Sequence, residues 1–94
     1  MNITTKILKA TANERRIKIL LFLMRDSDIP VGELAEKLGI SFAATSKHLG
    51  RLEAVDLVRK KQKGLKILYS LNYDKHKKFN NAFMDFLQKV RFNI

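Results

Sequence analysis

The sequence predicts a small α+β domain, mainly helical, in which four helices precede a β-hairpin and a fifth helix. Three observations carry that expectation. Apolar residues recur at helical spacing in separate segments, alternation replaces this spacing between Leu57 and Leu71 around Lys63-Gly64, and turn or cap residues stand at the junctions. With 94 residues, one Pro and four Gly, the chain has room for a single domain, 1–94, and little for linkers.

Ile3, Ile7 and Leu8 give a short first helix. Asn13 is placed to cap the second: its side chain can accept a backbone N–H, and Glu14 follows where negative charge opposes the helix dipole. Ile17, Leu20, Leu21 and Met24 mark the buried line of that helix, and Ile19, Phe22 and Leu23 make it apolar on most sides. Such a helix belongs at the centre of a fold or between two subunits. Asp26-Ser27-Asp28 ends it, and Ile29-Pro30 reads as a brief extended link. Val31, Leu34, Ala35 and Leu38 form the next stripe, closed by Gly39. A further helix spans about 42–54, with Thr45, Leu49 and Leu52 inward. In the hairpin, 57–71, Gly64 permits the positive φ of a tight turn, while Ile67, Tyr69 and Leu71 can anchor it. Asn72 or Asp74 can cap a last helix, 74–92, with Phe79, Phe83, Phe86, Leu87 and Val90 as its stripe.

Residues 31–54 carry the most specific signal. Two helices crossing steeply through a tight turn need a small residue at the crossing and a flexible one in the turn, which Ala35 and Gly39 supply. Leu34, Leu38, Ile40, Leu49 and Leu52 provide the shared core, and Ser41 stands at the N-cap of the second helix. A wheel with Leu49 inward sends Ala43, Ala44, Lys47, Gly50 and Arg51 outward and leaves Ser46 and His48 on the flanks. Small outward residues let a helix approach base edges, and Lys47 and Arg51 can reach guanine or phosphate. Phe42 lies near the inner edge, where packing is favoured over contact with a thymine methyl. His48 reads first as a hydrogen-bonded boundary residue and second as a phosphate contact.

The formal net charge of +10 draws polyanions such as nucleic acid or acidic lipid. Eight basic residues fall between Arg59 and Lys78, where Asp74 is the only acid. Arg59, Lys60, Lys61, Lys63 and Lys66 decorate the hairpin, a pattern that favours phosphate contact over simple protection of a sheet edge. Cysteine is absent, which excludes disulfides, thiolate redox sensing and sulfur-built metal sites. The first residues lack the apolar core of a signal peptide, and the longest apolar run, Ile19 to Met24, is too short for a membrane span. A cytoplasmic protein with no membrane partner is expected. No glycine-rich phosphate loop or metal cluster appears and the two histidines lie in separate elements, so no enzyme and no cofactor are expected.

The order of elements is that of a winged helix. Residues 31–52, VGELAEKLGISFAATSKHLGRL, resemble the helix-turn-helix of the ArsR/SmtB-type repressors; RKKQKGLKILYSL resembles that family's wing and ANERRIKILLFL its preceding core helix. The resemblance covers roughly residues 6–72, with Ser46-Lys47-His48-Leu49 its most distinctive stretch. It implies a homodimer joined by the first and last helices, reading duplex DNA as an inverted repeat. Base contacts then transfer to Ser41, Phe42, Ala43, Ser46 and Lys47, with the wing on the adjacent backbone or minor groove. The family's metal sites do not transfer. Val31-Gly32-Glu33 stands where many members have a Cys pair, and Leu87 and Val90 stand where others complete a zinc site begun by Asp-x-His, here Asp74-Lys75-His76. Asp56 replaces a usual turn Gly, and Asp tolerates the left-handed region better than most residues.

These observations predict a homodimeric, sequence-specific regulator of transcription, a repressor by expectation. Its DNA-binding residues are Ser41, Phe42, Ala43, Ser46, Lys47, His48, Arg51, Arg59, Lys60, Lys61, Lys63 and Lys66, and Ile3, Ile7, Phe79, Phe83, Phe86 and Val90 form its dimer interface. A low-specificity architectural DNA-binding protein, and a winged helix used for protein or RNA contacts, are the alternatives.

Overall fold

A computed structural model describes residues 2–72 and 77–90. The chain runs α1 (Ile3–Thr11), α2 (Glu14–Arg25), β1 (Ile29–Pro30), α3 (Val31–Leu38), α4 (Phe42–Ala54), β2 (Val58–Lys63), β3 (Lys66–Leu71) and α5 (Lys77–Val90). The predicted order holds, with one addition. Ile29-Pro30 is an edge strand, so the sheet has three antiparallel strands in the order β1-β3-β2 rather than the hairpin alone. Pro30 fits there because an edge strand can spare one N–H.

Local chemistry fixes the junctions. Asn2 and Asn13 cap α1 and α2 by accepting from the Thr5 and Arg16 N–H groups. Ser41 caps α4 through the Ala44 N–H at 3.0 Å. Gly39 ends α3 at φ 68°, and its N–H and that of Ile40 both return to the Ala35 carbonyl, at 2.9 and 3.2 Å. Asp56 takes φ 61° after α4, which lets the Leu57 N–H reach the Leu52 carbonyl at 3.1 Å. Gly64, at φ 63°, turns β2 into β3, which pair from Val58↔Leu71 to Lys63↔Lys66.

The core gathers Ile7, Ile19, Leu20, Leu34, Leu49, Leu52, Leu57 and Val58 between the helices and the sheet. Several expected faces are rotated. In α2 the buried line is Ile19, Leu20 and Leu23, while Ile17, Leu21 and Met24 are only partly covered, because α2 meets α3, α4 and β3 on one side and α1 and α5 on others. In β3, Leu68, Tyr69 and Leu71 anchor the hairpin, and Ile67 is largely exposed because it lies out towards the turn, beyond the body. Ile7 is 1% exposed within a single chain: α1 folds onto α2 and α4, so Ile7 is a core residue rather than a dimer contact.

The last helix departs furthest from expectation. Its inner line is Asn80, Met84 and Leu87 rather than the phenylalanines. Asn80 donates from Nδ2 to the Asn72 carbonyl at 3.1 Å and so ties α5 to the end of β3. Asn72 therefore holds the helix through its main-chain carbonyl, and the segment in which it is expected to act as a cap lies outside the described residues. Asp74, the alternative cap, and His76 lie outside the described residues. Phe79 and Phe83 are half-buried, Phe86 is 57% exposed, and the Val90 side chain lies outside the described residues.

Candidate nucleic-acid interface

The helix-turn-helix places α4 with its middle fixed and its outer face bare. Thr45, Leu49 and Leu52 are fully buried, and the Thr45 hydroxyl donates to the Ser41 carbonyl at 2.9 Å. Helical geometry then forces Ala43, Lys47, Gly50 and Arg51 outward, and all four are exposed. Ser41 is exposed beside them; Ala44, Ser46 and His48 are half-buried on the flanks.

Phe42 is 60% exposed, which corrects the expectation of packing. It is the first residue of α4, and most of its surface is left to solvent. With Leu65, Lys66 and Ile67 of the hairpin and Pro30, Val31, Gly32, Glu33 and Glu36, it lines a groove of about 470 Å³. The start of α4 and the hairpin tip thus border one surface.

The hairpin cations divide by position. Lys60 pairs with Glu53 of α4 at 3.8 Å, and Lys61 pairs with Asp28 at 3.3 Å. Both pairs are exposed, so they tether the hairpin weakly and can exchange for phosphate. Lys63 and Lys66 flank the turn, and Arg59 is exposed on β2. Sequence reasoning treated Asp28 only as the end of a helix. It occupies φ 57°, accepts from the Ser70 hydroxyl at 2.7 Å and returns its own N–H to that oxygen at 3.0 Å. The Ser70 hydroxyl, then Lys61, holds the Asp28 carboxyl below the usual carboxylate range. Only tertiary pairing across 42 residues brings these groups together.

Arg16 also escaped notice. It donates through Nε to the Ala10 carbonyl and through a terminal nitrogen to His48 Nδ1 at 3.3 Å. Since guanidinium only donates, Nδ1 must be the acceptor and the imidazole is neutral with its proton on Nε2. Burial, then Arg16, Arg15 and Arg51, depresses the His48 pKa, in agreement with that assignment. His48 is thus the boundary residue expected, with Arg16 as its partner.

A family model described as "Winged helix-turn-helix DNA-binding" matches residues 13–59, from the α2 cap to the first residues of β2. The chain belongs to the winged helix-turn-helix DNA-binding family. The transcriptional repressor SdpR of Bacillus subtilis is 32% identical over 83 residues, which cover 88% of this chain and 91% of the repressor. The transcriptional activator HlyU of Vibrio cholerae is 41% identical over 66 residues, 70% of this chain and 60% of that protein. The solved structure of HlyU superimposes with a TM-score of 0.81 at 33% identity, covering 97% of this chain and 94% of that one. The homodimeric winged-helix domain of Mb0332 from Mycobacterium bovis shares the fold, with a TM-score of 0.79 at 24% identity, covering 95% of this chain and 78% of that one. The ArsR/SmtB-type resemblance read from residues 31–52 agrees with these relatives, and the family is one of transcription factors, not of enzymes. Among the described residues no group of three potential ligands could hold a metal, and no helix is long and apolar enough to cross a membrane.

Proposed function

We propose that this protein is a cytoplasmic homodimeric regulator that reads an inverted repeat in duplex DNA, inserting α4 into the major groove and resting its wing on the adjacent backbone. One observation carries the reading: Lys47 and Arg51 stand exposed on the same face as the small residues Ala43 and Gly50, on a helix whose start shares a groove with the lysine-bearing hairpin tip. Small side chains allow close approach, long cations supply hydrogen bonds to guanine or phosphate, and the wing adds phosphate contacts around them. The Mycobacterium bovis domain of the same fold is a homodimer. A dimer of this chain would set its two reading helices about 34–36 Å apart, one turn of duplex. Occupying a promoter in this way represses transcription where the repeat overlaps the polymerase site.

The exposed alanine and glycine of α4 also favour a second reading, a low-specificity architectural protein, since they offer no donor or acceptor to a base. Selection of bound sequences from random duplex DNA separates the two. The regulator yields a palindrome, and Lys47→Ala and Arg51→Ala each blur defined positions in it, by about 1–3 kcal/mol of discrimination per lost base contact. Recovery of no consensus overturns the sequence-specific reading.

A further inference from the structure

Beside Arg51, three further cations have no part in the reading above. Lys6, Lys9 and Ala10 of α1, Arg16 of α2, and Arg51, Ala54 and Val55 at the end of α4 line an open cleft of about 360 Å³. Four of these seven residues are cationic and none is acidic. The nearby carboxylates on the same helices are engaged elsewhere, Glu14 with Lys18 at 3.6 Å and Glu53 with Lys60 at 3.8 Å. Arg16 is not a loose surface arginine: the Ala10 carbonyl and His48 Nδ1 hold its guanidinium from two sides and leave its remaining N–H donors for a ligand. Burial and the neighbouring Arg51 both disfavour its charge. Two guanidinium groups therefore share a cleft with no carboxylate between them, an arrangement that an anion relieves.

We propose that this cleft is a phosphate site, in which Lys6, Lys9 and Arg16 together hold one phosphodiester of the DNA strand that flanks the reading helix, so that loss of the two lysines loses the contact, while Arg51 at the inner edge reaches on to the bases. The anion is a phosphate because the planar guanidinium fork matches its oxygens in pairs. DNA supplies it because the cleft opens at the last turns of α4, and a helix seated in the major groove has a sugar-phosphate backbone on each side. The inference rests on α4 being the reading helix. Its consequence is that α1 takes part in DNA binding, connected to α4 through Ala10, Arg16 and His48.

The double variant Lys6→Ala/Lys9→Ala tests it in the full chain, since both side chains are exposed and Ala suits a helix. On the selected palindrome, the slope of log affinity against log salt flattens by about 0.9 per subunit, one phosphate's worth. The selected sequence stays the same, and a phosphate whose ethylation blocks the native protein on each half-site ceases to matter. An unchanged slope with an unchanged ethylation pattern overturns the proposal. Titration of inorganic phosphate and pyrophosphate, followed by the amide resonances of Arg16 and Arg51, separates the sources. Saturable shifts that the double variant loses, alongside an unaltered DNA slope, overturn DNA as the source and assign the cleft to a free anion. Should the native chain hold no duplex at all, the reading-helix proposal fails by itself, and an absence of shifts in the same titration then overturns the phosphate site too.

Discussion

His48 and Phe42 show how one position on a helix decides what a side chain can do. His48 sits where α4 turns from solvent towards α2, so its ring loses water and gains Arg16 as a donor. Because folding lowers its pKa, the unfolded chain binds the proton more readily. The stability it contributes is complete above the unfolded value of about 6.5 and is lost as pH falls through the lower folded value. Urea midpoints measured across that range should decline with acidification, and His48→Asn, which keeps an acceptor near Nδ1 but cannot titrate, should flatten the decline. Asp28 acts in the same direction at lower pH, since its folded carboxyl also titrates below its unfolded value. Phe42 is the opposite case. With most of its surface in solvent, Phe42→Ala should leave thermal stability within about 0.5 kcal/mol, as exposed substitutions do, and weaken a thymine preference next to the start of α4. A fall in melting temperature of several degrees would instead return Phe42 to the core.

At the scale of elements, the turn between α3 and α4 sets the angle at which the reading helix leaves the body. Gly39 holds φ 68°, and a Cβ there would meet nothing within 4 Å. Gly39→Ala therefore costs only the left-handed backbone penalty, about 1–2 kcal/mol, readable in denaturant unfolding. The hairpin divides into a tethered base, where Lys60 and Lys61 face carboxylates, and a tip with Lys63 and Lys66. Lys63→Ala/Lys66→Ala should reduce the salt dependence of binding by more than Lys60→Ala/Lys61→Ala, whose cations already have partners; equal effects would place the base and tip equally on the backbone. These elements were largely legible in the chain. Asn13, Gly39, Ser41, Asp56 and Gly64 announce themselves because caps and left-handed turns need particular side chains. Ile29-Pro30 did not, because a two-residue strand has no period of its own and exists only through Tyr69 and Leu68 opposite.

Among the described residues, α5 and α1 both leave apolar side chains uncovered. Phe79, Phe83 and Phe86 stack in a ladder with centroids 6.0 and 6.5 Å apart, and Phe86, Ile3 and Leu8 are 57%, 44% and 49% exposed. A domain this small gains from covering such side chains with a second copy of itself. Phe86→Glu should give a monomer by light scattering at micromolar concentration and weaken binding to the full palindrome far more than to an isolated half-site. A native chain that is already monomeric under those conditions would remove the dimer.

Without coordinates, the chain determines its helices, its hairpin, its caps and the outward face of α4, since each follows from spacing or from the chemistry of a few adjacent residues. Tertiary structure alone decided that Ile7 belongs to the core and Phe42 to the surface, that Asn80 rather than a phenylalanine lines the inside of α5, and that Arg16 and Arg51 share one cleft. The reason is physical: periodicity specifies a face of a helix, but which part of that face is covered depends on the angle and reach of neighbours that are distant in sequence. On α5 the apolar arc is wide enough for two orientations, and the hydrogen bond from Asn80 to Asn72 is made in the one adopted.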